Sequence, residues 1–268
     1  MALFNYPYPS LDWDYQGFDF AYPPANMSQQ IADDMYADGV RFVGRYLYGD
    51  QYPAGKGISA TEAQYYLNAG IKIYLYYEVV TTDALQGYAK GVQNGTIANN
   101  LASAMGIPIG TQIYCCCDTG VTDAQANGVV MDYLYGFASM MPDYNVGIYG
   151  GQNVMDACYN TYPTLYRIQA GAWGYQEFSP INIRQWFLGT NNQAMRDGKI
   201  RISNITIASN GYAYWKGHNV DLTSADTLDN MWGDPSPTPP TPPSPPPVPP
   251  EPQPDDNKMP IWMYLRQY

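Results

Sequence analysis

The chain has 268 residues, with 13 Lys+Arg against 24 Asp+Glu and a formal net charge of −11. That acidity excludes partners held through phosphate charge, because nucleic acids and anionic bilayer faces are gripped by clustered Lys and Arg; no apolar run approaches the roughly 20 residues that span a bilayer. Tyr alone supplies 27 residues while only 14% are charged, so the surface is one that stacks and hydrogen-bonds rather than steers ions.

Residues 1–16 read as an N-terminal arm. Met1–Ser10 lacks the basic stretch and following apolar run of a secretory signal, so the expectation is synthesis in the cytoplasm without a leader. Strand-like and helix-like segments then alternate. A strand at Gly17–Ala21 precedes a helix at Ser28–Asp38, capped by Ser28 and stopped at Gly39. A strand at Val40–Leu47 precedes a helix at Ser59–Ala69, where Ser59 and Glu62 form a capping box and Gly70 ends the run. A strand at Ile71–Val79 is followed by a helix at Ala84–Met105, closed by Gly106 and Pro108. A strand at Thr111–Asp118 leads to a helix at Thr122–Met141, ending before Pro142. The remaining segments are a strand at Asn145–Gly150, a short helix at Gly151–Asn160, and strands at Tyr166–Trp173, Asn182–Phe187 and Asn219–Leu222.

Several strands are almost continuously apolar, as expected when both faces of a parallel sheet are covered. Eight strands with intervening helices in about 215 residues predict an α/β fold, a (β/α)8 TIM-type barrel. Its second half is irregular: β-like runs at Ile200–Ala208 and Tyr212–Trp215 flank Asn210-Gly211, a strong hairpin signal. A doubly wound open sheet is the alternative, but no G-x-G-x-x-G follows the first strand. Of 23 prolines, 13 fall between Pro235 and Pro254. The chain therefore divides into a barrel at 17–233, a Pro-rich linker at 234–256 and an apolar tail at 257–268. Proline density favours an extended polyproline II stalk at about 3.1 Å per residue, and the aromatic tail reads as an anchor that docks on something.

Cys115, Cys116, Cys117 and Cys158 are the four cysteines. Strand alternation points Cys115 and Cys117 one way and Cys116 the other, as small core hydrophobes. A metal site wants paired Cys spacing and more than one His, so neither metal nor cofactor is expected. A nucleophilic Cys116 activated by His218 is a minor alternative.

The chemistry of such a barrel sits at the C-terminal ends of its strands. Four strand candidates carry an acid there: Asp19, Glu78, Asp118 and Asp221. Glu78 shares a face with Lys72, Tyr74 and Tyr76, and Asp118 with Gln112, Tyr114 and Cys116, so polar groups line the inward face. Clustered carboxylates raise one another's pKa, which keeps one protonated while its neighbour stays ionised. Glycoside hydrolysis uses such a pair. The competing readings are acids that cap loops or pair with Arg45 and Arg184, and an oxygen-rich divalent cation site. Tyr46, Tyr76, Tyr149, Trp173 and Trp186 supply rings that stack on sugars, while Arg45, Gln169 and Gln185 are candidates to hold hydroxyl groups.

One ordered set of motifs carries a resemblance. It runs Gly17-Phe18-Asp19, Arg45-Tyr46-Leu47, Lys56-Gly57-Ile58-Ser59 with Glu62, Ala69-Gly70-Ile71, Tyr77-Glu78, Met105-Gly106-Ile107-Pro108, Ile113-Tyr114 to Asp118, Val146-Gly147-Ile148-Tyr149-Gly150, Gln169-Ala170 to Trp173, Gln185 and Asp221. Over about residues 17–232 it resembles the glycoside-hydrolase-like barrel domain of actinobacterial envelope proteins and their phages, which is related to the barrel lysozymes. The resemblance implies a pocket lined by Asp19, Glu78, Asp118 and Asp221, with Glu78 and Asp118 as the working pair. The barrel lysozymes end their fourth strand in Asp-x-Glu, whereas here Asp118 is followed by Thr119 and Gly120. With the stalk and tail, the resemblance implies a phage minor tail protein, located in the virion, that binds and hydrolyses an envelope glycan such as peptidoglycan or arabinogalactan. Its other partners would be virion tail proteins, met through the stalk and tail. A non-catalytic glycan-binding tail module and a free endolysin are the alternatives.

Overall fold

The computed structural model describes residues 12–48, 56–172, 180–186, 197–235, 237, 238 and 240. Its strands are β1 (Tyr15–Asp19), β2 (Phe42–Tyr46), β3 (Lys72–Tyr77), β4 (Gln112–Cys116), β5 (Asn145–Gly150), β6 (Tyr166–Gln169), β7 (Ile183–Trp186), β8 (Ile205–Ile207), β9 (Ala213–Trp215) and β10 (His218–Ala225). The first seven run parallel in sequence order. β10 pairs with β7 on one side and with β1 on the other, which closes an eight-stranded barrel. The sequence-predicted barrel is therefore present, and its second half is irregular in a specific way: β10 is antiparallel to both neighbours.

The reversed strand follows from how the chain reaches it. β8, β9 and β10 form an antiparallel meander, and a hairpin reverses direction where a helical crossover would preserve it. Lys216 and Gly217 join β9 to β10 with φ of 47° and 84°, the left-handed pair that a two-residue type I′ turn demands. The Asn210-Gly211 signal sits where expected, between β8 and β9, with Gly211 at φ 90°.

The helices are α1 (Gln29–Ala37), α2 (Ala60–Ala69), α3 (Gly87–Ala104), α4 (Asp123–Gln125), α5 (Met131–Ser139) and α6 (Gln152–Thr161). The side chains of Ser28 and Ser59 accept from the backbone N–H groups of Ile31 and Glu62, but the expected capping box at Ser59 is only half formed, because the Glu62 carboxylate is taken by Arg45. Two predicted helices are less regular than the sequence implies. The segment from Ala84 opens as a 3-10 turn at Asp83–Gln86, and the segment from Thr122 contains a π turn at Ala126–Val130. α3 and α5 pack backbone to backbone, because a Cβ on Gly91 or Gly136 would collide with the carbonyl of Tyr133 or Tyr88.

Strand alternation sorts side chains into two layers. Phe18, Val43, Leu75, Cys115, Cys117 and Ile148 point outward into the core beneath the helices. Phe42, Tyr74, Tyr76, Tyr114, Cys116 and Tyr149 fill the barrel interior. Much of the tyrosine excess is thus barrel filling. Alternation from the inward Phe42 puts Arg45 in the outer layer. There its Nε lies 2.6 Å from Glu62 Oε1 and its Nη1 donates to the carbonyls of Phe20 and Ala21. The expectation that Arg45 holds substrate hydroxyls is corrected: its donors are committed beneath α2. The expected Cys116–His218 pair also fails, since Cys116 faces the barrel interior while His218 packs edge-on against Phe20 of the outer layer.

Candidate active site

The four acids meet at one mouth of the barrel. Asp19 ends β1, Glu78 lies one residue beyond β3 and Asp118 two residues beyond β4. Asp221 arrives from the opposite direction. It sits in the first half of β10, directly across from Asp19 in the ladder, so the antiparallel strand delivers its acid to the same mouth as the parallel ones. All four line a cavity of about 250 Å³, together with Tyr46, Tyr76, Tyr149 and Gln185. Trp186 borders it while packing in the outer layer. Trp173 lies outside the described residues, and Gln169 is buried without lining the cavity. Tyr212, half-exposed on the β8–β9 turn, and the Gly171-Ala172 backbone also line the cavity. Sequence reasoning used Asn210-Gly211 only as a turn signal and so missed Tyr212.

The acids occupy graded depths. Asp19 and Glu78 are buried, Asp118 is half-buried, and Asp221 stands exposed at the rim. Asp19 accepts from Gln185 Nε2 at 3.1 Å on each oxygen and from the Tyr76 hydroxyl at 3.3 Å. Burial, and then the Asp221 charge, nevertheless hold its pKa well above the carboxylate range. Although Asp221 is exposed as a residue, partial loss of water around its carboxyl in the cavity and the Asp118 charge push it up to about 6. Glu78 is raised by burial and by Asp118, opposed by the Lys56 charge and a hydrogen bond from Tyr46. Asp118 is raised by burial and opposed by Lys56. The single hydroxyl proton of Tyr149 is shared between Asp118 and Gln185 Oε1, the latter at 3.0 Å.

Lys56 is therefore the cation whose charge opposes the rise at both Glu78 and Asp118. Its Nζ sits 4.3 Å above the Tyr46 ring, which holds it at the cavity edge. Two carboxyls of unequal burial on adjacent strands are the kind of pair that acid–base cleavage of an acetal requires. Among the described residues no group of three His, Cys, Asp or Glu side chains is placed to hold a metal ion.

Comparison with known proteins identifies the family and the fold. The description of the Rv2525c-like, glycoside hydrolase-like domain matches residues 33–221. Rv2525c of Mycobacterium tuberculosis, which carries a provisional peptidoglycan-hydrolase name, is 28% identical over 124 residues. Those residues are 45% of this chain and 52% of that protein, so the chain spans about half the length of the curated relative it matches. The crystal structure of Rv2525c, a Tat-secreted protein, in complex with L-tartrate shares the fold with a TM-score of 0.60 at 21% identity, over 82% of this chain and 99% of that one. An uncharacterized protein of B. stearothermophilus matches at a TM-score of 0.53 and 18% identity, over 81% of this chain and 100% of that one.

Proposed function

The chain belongs to the Rv2525c-like, glycoside hydrolase-like domain family, and on that premise we propose that it hydrolyses a bacterial envelope glycan, peptidoglycan or arabinogalactan, as a minor tail protein of a phage. The observation that carries the chemistry is the single cavity into which four strands deliver carboxylates of unequal depth. Glu78, buried and raised, is the general acid that protonates the departing glycosidic oxygen. Asp118, half-buried and supported by Lys56, is the ionised partner that meets the developing positive charge or the attacking water. Asp19 and Asp221 set the field around them and hold sugar hydroxyls. Tyr46, Tyr149 and the open Tyr212 supply stacking surface. The provisional name of the Mycobacterium tuberculosis relative favours a glycan of the cell wall. The tail assignment rests on composition: 13 prolines within residues 235–254, followed by the apolar Met259–Tyr268 segment, suit a barrel carried outward on a tether.

The test is release of soluble glycan from purified envelope polymers by the wild-type chain, Glu78→Gln and Asp118→Asn. Release that both substitutions abolish supports the proposal; no release by wild type from any polymer ends the enzymatic part of it. One feature favours a second reading, a glycan-binding module without turnover: Thr119 and Gly120 follow Asp118 where the barrel lysozymes place a second acid. Retention of the chain on insoluble glycan, with no products, would select that reading. Mass spectrometry of purified virions decides the tail assignment.

A further inference from the structure

The cavity at the barrel mouth carries charge of one sign. Asp19, Glu78, Asp118 and Asp221 line it, and among the described residues no Lys, Arg or His does. Lys56 stands at the edge, with its ammonium 4.3 Å from the centre of the Tyr46 ring and 5.3 Å from that of Tyr48. Its charge is already set against Glu78 and Asp118. Asp221 at the rim titrates at about 6 and is therefore ionised at neutral pH. The chain as a whole adds a net charge of −11, of the same sign as the mouth.

A cleft lined by one sign of charge concentrates the field of that sign, and juxtaposed like charges reject a partner. The two glycans named above differ in this respect. Peptidoglycan strands carry a lactyl ether on alternate sugars, ending in a carboxylate or in a peptide with carboxylates of its own. Arabinogalactan offers hydroxyl groups. Carboxylate oxygens accept and sugar hydroxyls donate, so a mouth rich in acceptor oxygens suits a polyol and opposes a polyanion. The half-exposed Tyr212 ring beside these acids adds an uncharged stacking face. Resting on the reading that this site takes an envelope glycan, we propose that it selects a neutral polysaccharide of the arabinogalactan type over glycan strands that bear free carboxylates.

The experiment measures binding of the full chain to three immobilised polymers by biolayer interferometry. They are neutral arabinogalactan, peptidoglycan strands stripped of peptide so that the lactyl carboxylates are free, and the same strands with those carboxylates converted to amides. At 10 mM salt, where charges are felt across about 30 Å, arabinogalactan and the amidated strands should bind about tenfold tighter than the free-acid strands. At 1 M salt, where that reach falls to about 3 Å, the gap should close. Asp221→Asn, verified as folded by circular dichroism, should narrow the gap at 10 mM salt about twofold or more. Equal or tighter binding of the free-acid strands at low salt would overturn the proposal. So would a gap that survives amidation or 1 M salt, a gap that Asp221→Asn leaves unchanged, or binding of the amidated strands without binding of arabinogalactan. Released sugar is assayed in parallel, so a chain that binds without turnover loses the hydrolytic reading and still tests this one. Binding of none of the polymers would end the glycan reading itself, and this inference with it.

Discussion

Two of the places where the protein sets carboxylates against its interior treat them in opposite ways. In the outer layer, Glu62 meets Arg45 at 2.6 Å and also accepts from the Tyr66 hydroxyl at 3.1 Å. Its charge is matched where it stands, and the group staples α2 to β2. In the barrel mouth, Asp19, Glu78, Asp118 and Asp221 face one another, and among the described residues Lys56 opposes the charges of Glu78 and Asp118. Burial of a paired charge serves architecture; burial of unmatched like charges leaves groups poised to exchange protons. The strand ladder separates the two uses, because neighbouring residues on one strand point into different layers.

Breaking the matched pair should have the largest effect. Arg45→Ala leaves Glu62 charged and buried without its partner, and about 3–5 kcal/mol of stability should be lost, seen as a shift of the urea midpoint. Little loss would mean that Glu62 reaches another cation. Glu78→Gln should leave that midpoint nearly unchanged while glycan release falls about 10²–10⁴-fold, the usual contribution of a general acid. Lys56→Met removes the charge that favours ionisation of Asp118, so the acidic limb of the pH–rate profile should move to higher pH; an unmoved limb would deny Lys56 that role.

The pocket also makes a stability prediction of defined sign. A carboxyl whose folded pKa is raised binds more protons folded than unfolded, so its favourable contribution is complete below the unfolded pKa, about 3.9 for Asp, and is lost as pH rises through the folded value. The wild-type chain should therefore lose stability from pH 4 to pH 8, and Asp19→Asn should flatten that slope. A slope that steepens instead would reverse the assignment. Asp221→Asn should act in the same direction but more weakly, by about 1 kcal/mol or less above pH 6, because its carboxyl is screened at the solvent-exposed rim.

Much of this was readable in the residues. Near-continuous apolar strands, Ser caps and glycine stops predicted the order of elements, and alternation from Glu78 and Asp118 correctly set Tyr74, Tyr76, Tyr114 and Cys116 on the inward face. The same rule, applied from Phe42, would have turned Arg45 away from the pocket; its proximity to a strand end was read instead of its parity. Strand direction was not readable for β10, because the residues of a strand do not record whether its neighbours run with or against it. Asp221 was placed at the right mouth for the wrong reason, as the end of a parallel strand. Tyr212 was missed because its position depends on how the β8–β9 turn folds back over the mouth, a contact between segments far apart along the chain.

The hydrogen bonds that close the barrel join Tyr15–Asp19 to Asp221–Ala225. The first strand formed thus finds one of its two partners only among the last residues of the domain. During synthesis, at about 5–20 residues per second, β1 emerges long before β10 exists, and one edge of the growing sheet stays open throughout. Contacts so distant along the chain slow folding. The β8–β10 meander is the last part of the barrel to be synthesised, and its β10 strand fills the gap between β7 and β1. The same pairing sets Asp221 opposite Asp19, so the contact that closes the ring also completes its cluster of acids.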